Sequence, residues 1–233
     1  FRVLYRSFDK KFIFDSYSCR KNKGTHKALN SFRKMGRKIS VNNTKTAWVL
    51  KCDIKKFFAN IDHQVLKKIL KKYIDDDNAL WILDQIIDSF ASGLPLGNLT
   101  SQLLINIYMN DFDQFVKREL KVKYYIRYAD DFVIFNGNKE YLVNLIPKIQ
   151  KCLKNRLKLI LNPSKVSIQT LASGIDFLGW VNFSNHRVLR TTSKKRMLAR
   201  LEENNSDETI NSYLGLLKHG NSHKLIKRIV KEI

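Results

Sequence analysis

Two runs rich in β-favouring residues, at 124–128 and 132–135, meet at Ala129, Asp130 and Asp131 with no glycine to ease the reversal. That spacing predicts a hairpin with carboxylates at its tip. A second run, Ala47-Trp48-Val49-Leu50-Lys51-Cys52-Asp53, ends on another carboxylate and reads as a buried strand. Two such strands placed side by side would gather Asp53, Asp130 and Asp131. An Asp-Asp pair by itself is usual in exposed turns, because Asp favours them; here apolar arms flank it on both sides. Clustered carboxylates repel one another and lose hydration unless cations neutralise them, and Mg²⁺ takes hard oxygen ligands while keeping positions for water and phosphate. Two such ions can hold both the attacking and the leaving oxygen of a phosphoryl displacement.

The surrounding chain is strongly basic. Its 233 residues hold 43 Lys and Arg against 21 Asp and Glu, a formal charge of +22. With 44% hydrophobic residues the chain can bury a core, which excludes a disordered basic tail. Such an excess opposes compaction unless a polyanion is near, so nucleic acid is the leading partner and anionic membrane the other. No stretch approaches the roughly 18 apolar residues of a spanning helix, which weakens the membrane reading. Cys19, Cys52 and Cys152 form no close pair and fit a reducing cytoplasm, and the five histidines lack zinc-site spacing. Residues 1–40 carry twelve Lys or Arg against Asp9 and Asp15. Their loop-like run Cys19-Arg20-Lys21-Asn22-Lys23-Gly24-Thr25-His26 predicts a phosphate-facing surface.

Apolar spacing predicts helices over 61–73 and 79–90. The turn Gly93-Leu94-Pro95-Leu96-Gly97 then feeds a long one-faced helix from Asn98. A further helix is expected over 139–157 despite Pro147, with strands at 165–170, 175–183 and 187–190. Helices return over 192–233 with a charged break at 202–208. The class is α+β, an antiparallel sheet covered by helices.

Several of these segments carry a resemblance. Tyr128-Ala129-Asp130-Asp131 resembles the Y-x-D-D box of reverse transcriptases, and Asp53-Ile54-Lys55-Lys56-Phe57-Phe58 with Ile61-Asp62-His63 resembles the strand-and-aromatic block that precedes it. Asp15-Ser16-Tyr17-Ser18-Cys19-Arg20-Lys21 and Gly24-Thr25-His26-Lys27-Ala28-Leu29 resemble a fingers motif of the prokaryotic enzymes, and Phe177-Leu178-Gly179-Trp180 their primer-grip turn. In Leu94-Pro95-Leu96-Gly97-Asn98-Leu99-Thr100-Ser101-Gln102 the final Ser-Gln replaces the usual Ser-Pro of group II intron enzymes. This looks most like the diversity-generating retroelement branch. The motifs keep the family's order over residues 12–220.

The resemblance implies a right-hand polymerase fold, with partial fingers at 1–45, a palm at 46–191 that carries helical insertions at 62–92, and a helical thumb at 192–233. It implies an RNA-directed DNA polymerase that extends a DNA or RNA primer on template RNA with dNTPs. Asp53, Asp130 and Asp131 would hold two Mg²⁺ ions, for which Mn²⁺ can substitute, with the Ile54 carbonyl as a further ligand. Phe58 is the expected gate against a ribose 2′-hydroxyl, and Phe57 beside it the core aromatic. Leu96 stands where retroviral and group II intron enzymes usually carry glutamine; with Gly97 it would line the nucleotide, and Ser101 and Gln102 the nucleic acid. Lys165, after Leu161-Asn162-Pro163, matches a lysine placed near the leaving pyrophosphate. Arg20, Lys21, Lys23 and Arg127 are candidates for template or triphosphate contacts. Phe177, Leu178, Gly179 and Trp180 would touch the primer, and Lys194, Lys195 and Arg196 the product duplex. The family's first fingers block is missing ahead of Tyr17, so a longer parent protein is expected. A basic accessory protein and a prokaryotic or phage-encoded cytoplasmic setting are further implications. Alternatives are a defence-associated or retron-like reverse transcriptase and a non-catalytic RNA-binding relic of the fold, against which the intact acidic triad argues.

Overall fold

Alternation along four strands sorts this chain into two cores. In the computed structural model, which describes residues 1–231, β1 (Trp48–Asp53), β2 (Tyr125–Tyr128), β3 (Asp131–Asn136) and β4 (Ser167–Thr170) form an antiparallel sheet in the order β2-β3-β1-β4. Successive side chains leave a strand on opposite faces. Leu50, Cys52, Tyr125, Phe132 and Ile134 therefore enter one core, and Val49, Ile126, Val133 and Phe135 the other.

Helices close both faces. From α1 (Arg2–Asp9), Tyr5 and Phe8 join the first core; from α2 (Thr25–Ile39), Ala28, Leu29 and Phe32 join the second. The first core is completed by α3 (His63–Lys71), α4 (Asp77–Asp88), α5 (Leu99–Gln114) and α6 (Lys139–Leu157). Asp62, Asp76, Asn98 and Asn138 start these four helices, each accepting a hydrogen bond from an otherwise orphaned backbone N–H. Pro147 sits on the exposed side of α6, where the carbonyl it leaves without a partner is open to water. A one-faced pattern predicts a surface position for α5, yet eleven of its sixteen residues are buried. It is the central helix, backed by the sheet and flanked by α3 and α6.

The second core is sealed by a small sheet of β5 (Ile175–Phe177), β6 (Trp180–Asn182) and β7 (Arg187–Leu189). The single strand expected at 175–183 is thus a hairpin, reversed at Leu178 (φ 53°) and Gly179 (φ 82°). Positive φ at both loop residues matches the twist of a two-residue hairpin. At the C-terminal end α7 (Thr191–Glu203), α8 (Asp207–Leu217) and α9 (His223–Lys231) share a third core of Met197, Ile210, Leu217 and Ile229. The last two positions of the helical unit expected at 192–233 lie outside the described residues. The α+β class agrees with expectation. What charge and loop-like composition hid is that residues 1–45 contain α1 and α2.

One buried joint ties these layers together at the hairpin. Arg127 and Asp113 are both 0% exposed in their side chains, and Arg127 Nη2 lies 2.7 Å from Asp113 Oδ2. Arg127 Nε donates to Asp113 Oδ1 at 2.8 Å, and Tyr125 Oη donates to the same oxygen at 2.7 Å. The remaining guanidinium donors reach Asn106 Oδ1 at 3.4 Å, the Ala129 carbonyl at 3.1 Å and Ser16 Oγ at 3.1 Å. All five donors are used. The backbone adds to this: Tyr17 N donates to the Arg127 carbonyl and Arg127 N to the Asp15 carbonyl, both at 3.0 Å. Helix α5, strand β2, the turn at Ala129 and the segment around Ser16 are thereby held in one register.

Removing one member of a buried ion pair leaves the other uncompensated, at a cost of about 3–5 kcal/mol. Asp113→Asn and Arg127→Met are each expected to lower the unfolding free energy by about that amount. The Asp113→Asn, Arg127→Met double variant should lose clearly less than the sum, as read by denaturant unfolding in a double-mutant cycle. Additive losses would show that the two residues are not coupled.

Candidate active site

The antiparallel register brings the acids together. Asp53 on β1 is paired with Asp131 on β3, and Asp131 with Tyr128 on β2, so Asp130 occupies the two-residue tip with Ala129. Alternation puts Asp53 and Asp131 on the face that also carries Val49, Val133 and Phe135, beyond the end of that apolar cluster. Ala129 holds φ at 53°, a left-handed value that costs a non-glycine residue about 1 kcal/mol. The Arg127 guanidinium on the Ala129 carbonyl helps to fix this turn.

The carboxylates are half-buried and only partly neutralised. Lys165 Nζ donates to Asp53 Oδ2 at 3.0 Å, and Lys51 Nζ lies 3.7 Å from Asp131 Oδ2. The other Asp131 oxygen, Oδ1, is buried and meets no hydrogen-bond partner. Burial pushes the Asp131 carboxyl up to about 7; Lys51 opposes this while Asp130 and Asp53 add to it. Burial also raises Asp130, with Asp53 contributing and Lys165 opposing. Lys165 is raised by its hydrogen bond to Asp53 and the nearby carboxylates. Among the described residues no three acidic, histidine or cysteine side chains stand close enough together to hold one ion. The donor set nevertheless suits a hard cation, because Asp131 presents a buried carboxylate oxygen without a partner beside two further carboxylates, of which Asp53 leans on the Lys165 ammonium group. Ile54, the expected carbonyl ligand, is buried and bridged to Leu161.

The neighbouring loop is pinned to the same corner. Phe57 is buried and Phe58 half-buried, with their rings edge to face at 5.6 Å. Both lie past the end of β1, and Phe58 opens a 3-10 turn, Phe58–Asn60. Leu94 N donates to the Phe58 carbonyl at 2.8 Å, and Gly93 (φ 58°) packs so tightly on Phe58 and Ala59 that a Cβ there would collide with the Phe58 carbonyl. Leu96 is 75% exposed at the loop tip beside Gly97, and Asn98 Oδ1 accepts from Thr100 N to start α5. Ser101 corrects the expectation of a nucleic-acid contact: it faces inward at 1% exposure with its Oγ unpartnered, whereas Gln102 is half-exposed.

Four other expected contacts are corrected by burial. Arg127 is enclosed and fully bonded, so it reaches neither template nor triphosphate. The Arg20 side chain is 7% exposed and spends its donors on Asp9 and on the Ile13 and Ser16 carbonyls. Phe177 and Trp180 are cross-strand partners on the inner face of the small sheet, at 0% and 1% exposure, which leaves Leu178 and Gly179 as the outward part of that turn. Lys21 is exposed; Lys23 is held over the Phe14 ring at 3.5 Å and donates to the Phe14 carbonyl. Lys194, Lys195 and Arg196 lie exposed on α7.

Residues 2–181 match the model of the reverse transcriptase (RNA-dependent DNA polymerase) family. The chain belongs to that family. Among curated relatives, protein YkfC of Escherichia coli is 27% identical over 221 residues, which cover 77% of this chain and 56% of YkfC. The group II intron-encoded protein LtrA of Lactococcus lactis is 26% identical over 225 residues, covering 64% of this chain and 36% of LtrA. The chain thus spans about half or less of the length of these relatives. A Candida tropicalis telomerase solved with a fragment of telomeric RNA superposes over 99% of this chain and 44% of its own, with a TM-score of 0.62 at 12% identity. At that identity the likeness shows the fold, an antiparallel sheet and helices in the fingers-palm arrangement of reverse transcriptases. No helix among the described residues is long and apolar enough to cross a membrane.

Within this reverse transcriptase fold, sequence reasoning missed Lys51. The signal was present: position 51 lies two residues before Asp53 on the same strand face. The raised Asp131 carboxyl also carries a pH signature. A carboxyl whose folded pKa lies above its unfolded value lends stability that is complete below the unfolded value and is lost as pH rises through the folded one. For Asp131 the window runs from the ordinary carboxyl value of 3.8 to about 7. Asp131→Asn, neutral throughout, is therefore expected to melt at a higher temperature than the parent chain at pH 8 and to lose that advantage near pH 4, measured without divalent metal. Equal melting differences at both pH values would place the charge of Asp131 elsewhere.

Proposed function

We propose that this chain is the polymerising part of an RNA-directed DNA polymerase, which extends a primer 3′-hydroxyl with dNTPs on template RNA. The observation that carries the reading is the pairing of Asp53 with Asp131, with Asp130 at the adjoining tip and one Asp131 oxygen buried without a partner. In this reading Asp53, Asp130, Asp131 and the Ile54 carbonyl hold two Mg²⁺ ions, with Mn²⁺ as a substitute. When bound, the ions would acidify the primer hydroxyl and neutralise charge on the triphosphate. Lys165 keeps its proton, held by Asp53, and would present it to the departing pyrophosphate. Phe58, braced by Phe57 and the Leu94 contact, would exclude the 2′-hydroxyl. Leu96 and Gly97 would lie against the incoming nucleotide, Leu178 and Gly179 against the primer, and Lys21, Lys23, Gln102, Lys194, Lys195 and Arg196 along the nucleic acid. The units at 1–45, 46–191 and 192–233 would act as partial fingers, palm and thumb. The Ser101-Gln102 pair supports placement in the diversity-generating retroelement branch, where a basic accessory protein would be the partner.

Primer extension on an RNA template, with a DNA primer, dNTPs and Mg²⁺, tests the reading. The parent chain should give long products, and the Asp130→Ala, Asp131→Ala variant should fall by more than about 100-fold. Product sequences with errors concentrated opposite one template base would support the retroelement branch. RNA binding by both proteins with no Mg²⁺-dependent extension by either would favour the binding relic. Phe58→Ala, in the same assay, is expected to raise ribonucleotide incorporation relative to deoxynucleotide by about tenfold or more; an unchanged ratio would remove the gate from Phe58.

A further inference from the structure

A second basic site lies at the other end of the small sheet. The turn at Leu178 and Gly179 closes the end where Phe177 pairs with Trp180; at the opposite end Asn182 pairs with Arg187. There a cavity of about 270 Å³ opens between α2, the β6–β7 turn and the segment after α8. Its wall carries Arg33, His186, Arg187, Lys218 and His219, and no Asp or Glu among the described residues. Arg187 is the half-buried member. Its Nη2 donates to Asn30 Oδ1 at 2.9 Å, whereas Nη1 is shut off from solvent and meets no acceptor. A buried cationic donor left unmade is costly, so this nitrogen calls for an acceptor the chain does not supply.

The neighbours make the deficit larger. Burial, and then the charge of Arg33, pull the Arg187 pKa below its usual value. His26 stacks on His219 with ring centroids 3.6 Å apart, and burial, His219 and Arg187 together hold His26 below its ordinary value. Cations crowded in this way need an anion, not another cation. The frame is already built: Phe183 N donates to the His186 carbonyl at 2.8 Å, and Asn221 N donates to the Arg187 carbonyl at 2.8 Å. Beside the guanidinium groups, Phe183 and His186 stack at 4.8 Å with planes 13° apart, a flat surface of the kind on which an unpaired base can rest.

We propose that this cavity is a phosphate-binding site, separate from the carboxylate site, that takes a backbone phosphate of a single-stranded nucleic acid between Arg187, Arg33 and Lys218. The nucleic-acid occupant rests on the polymerase reading; the affinity for phosphate does not. The other source of the same chemistry is free inorganic phosphate.

The test follows the imidazole NMR signals of the full chain during two titrations without Mg²⁺, one with inorganic phosphate and one with a uridine hexaribonucleotide. Both should shift the His186 and His219 signals to saturation, the hexamer at a concentration about tenfold lower or less. Arg187→Gln and Arg33→Gln should each weaken the response by about tenfold. Arg33 is exposed, so its variant decides the matter if Arg187→Gln fails to fold. Asp130→Ala should leave both titrations unchanged, which separates this outcome from any failure of polymerisation. Absence of a saturable shift with either ligand, or an Arg33→Gln response equal to the parent's, overturns the site. A response to phosphate but not to the hexamer overturns the nucleic-acid occupant.

Discussion

The Arg127–Asp113 pair is the constraint on which the rest of the structure depends. A guanidinium inside an apolar layer is tolerable only with every donor engaged, and its five acceptor atoms, on four residues, come from α5, the hairpin turn and the segment around Ser16. None of these can shift alone without leaving a buried guanidinium donor unmet. The carboxylates at Asp130 and Asp131 are one turn away from this joint along the chain. Their placement therefore follows from a polar network behind the sheet as much as from the hydrogen bonds within it.

The surplus of positive charge is organised around few acids. Some are spent on pairs at the surface, such as Lys67 with Asp88 at 2.6 Å, Lys158 with Asp62 at 2.6 Å and Arg156 with Glu119 at 2.6 Å. Exposed pairs of this kind stabilise little. The acids that matter are the few drawn under cover, where loss of hydration makes each one hold its proton more tightly or lean on a lysine. The molecule is thus a basic body in which three carboxylates gather at one half-buried corner.

Much of this was legible in the order of residues, for identifiable reasons. A period of two in apolar arms that end on carboxylates is a strong local signal, and it placed β1, β2 and β3 with Asp53 and Asp131 on one face. The Asn98 start of α5 and the helix through Pro147 were legible too, because capping residues and exposed faces act locally. Arg127 was not, since a basic residue gives no sign of which way it points until its acid, fourteen positions back on a helix, is known. Phe177 and Trp180 misled for a related reason. Aromatics in a primer-grip-like turn invite a surface role, but a two-residue reversal puts both on the inner face, Phe177 against Phe32 of α2 and Trp180 against Gly220. The helices of residues 1–45 were hidden because charge density says nothing about period.

The segment around Ser16 has a wider consequence. By bridging Ser16 to Arg127, and exchanging backbone hydrogen bonds on either side of it, this stretch lies along the outer edge of β2. An uncovered strand edge is a template for other chains, and proteins that leave one open are prone to self-association. The front of the chain is therefore also an edge guard: the backbone of Asp15, Ser16 and Tyr17, just ahead of the basic run at Arg20, Lys21 and Lys23, occupies the β2 edge that another chain would otherwise pair with.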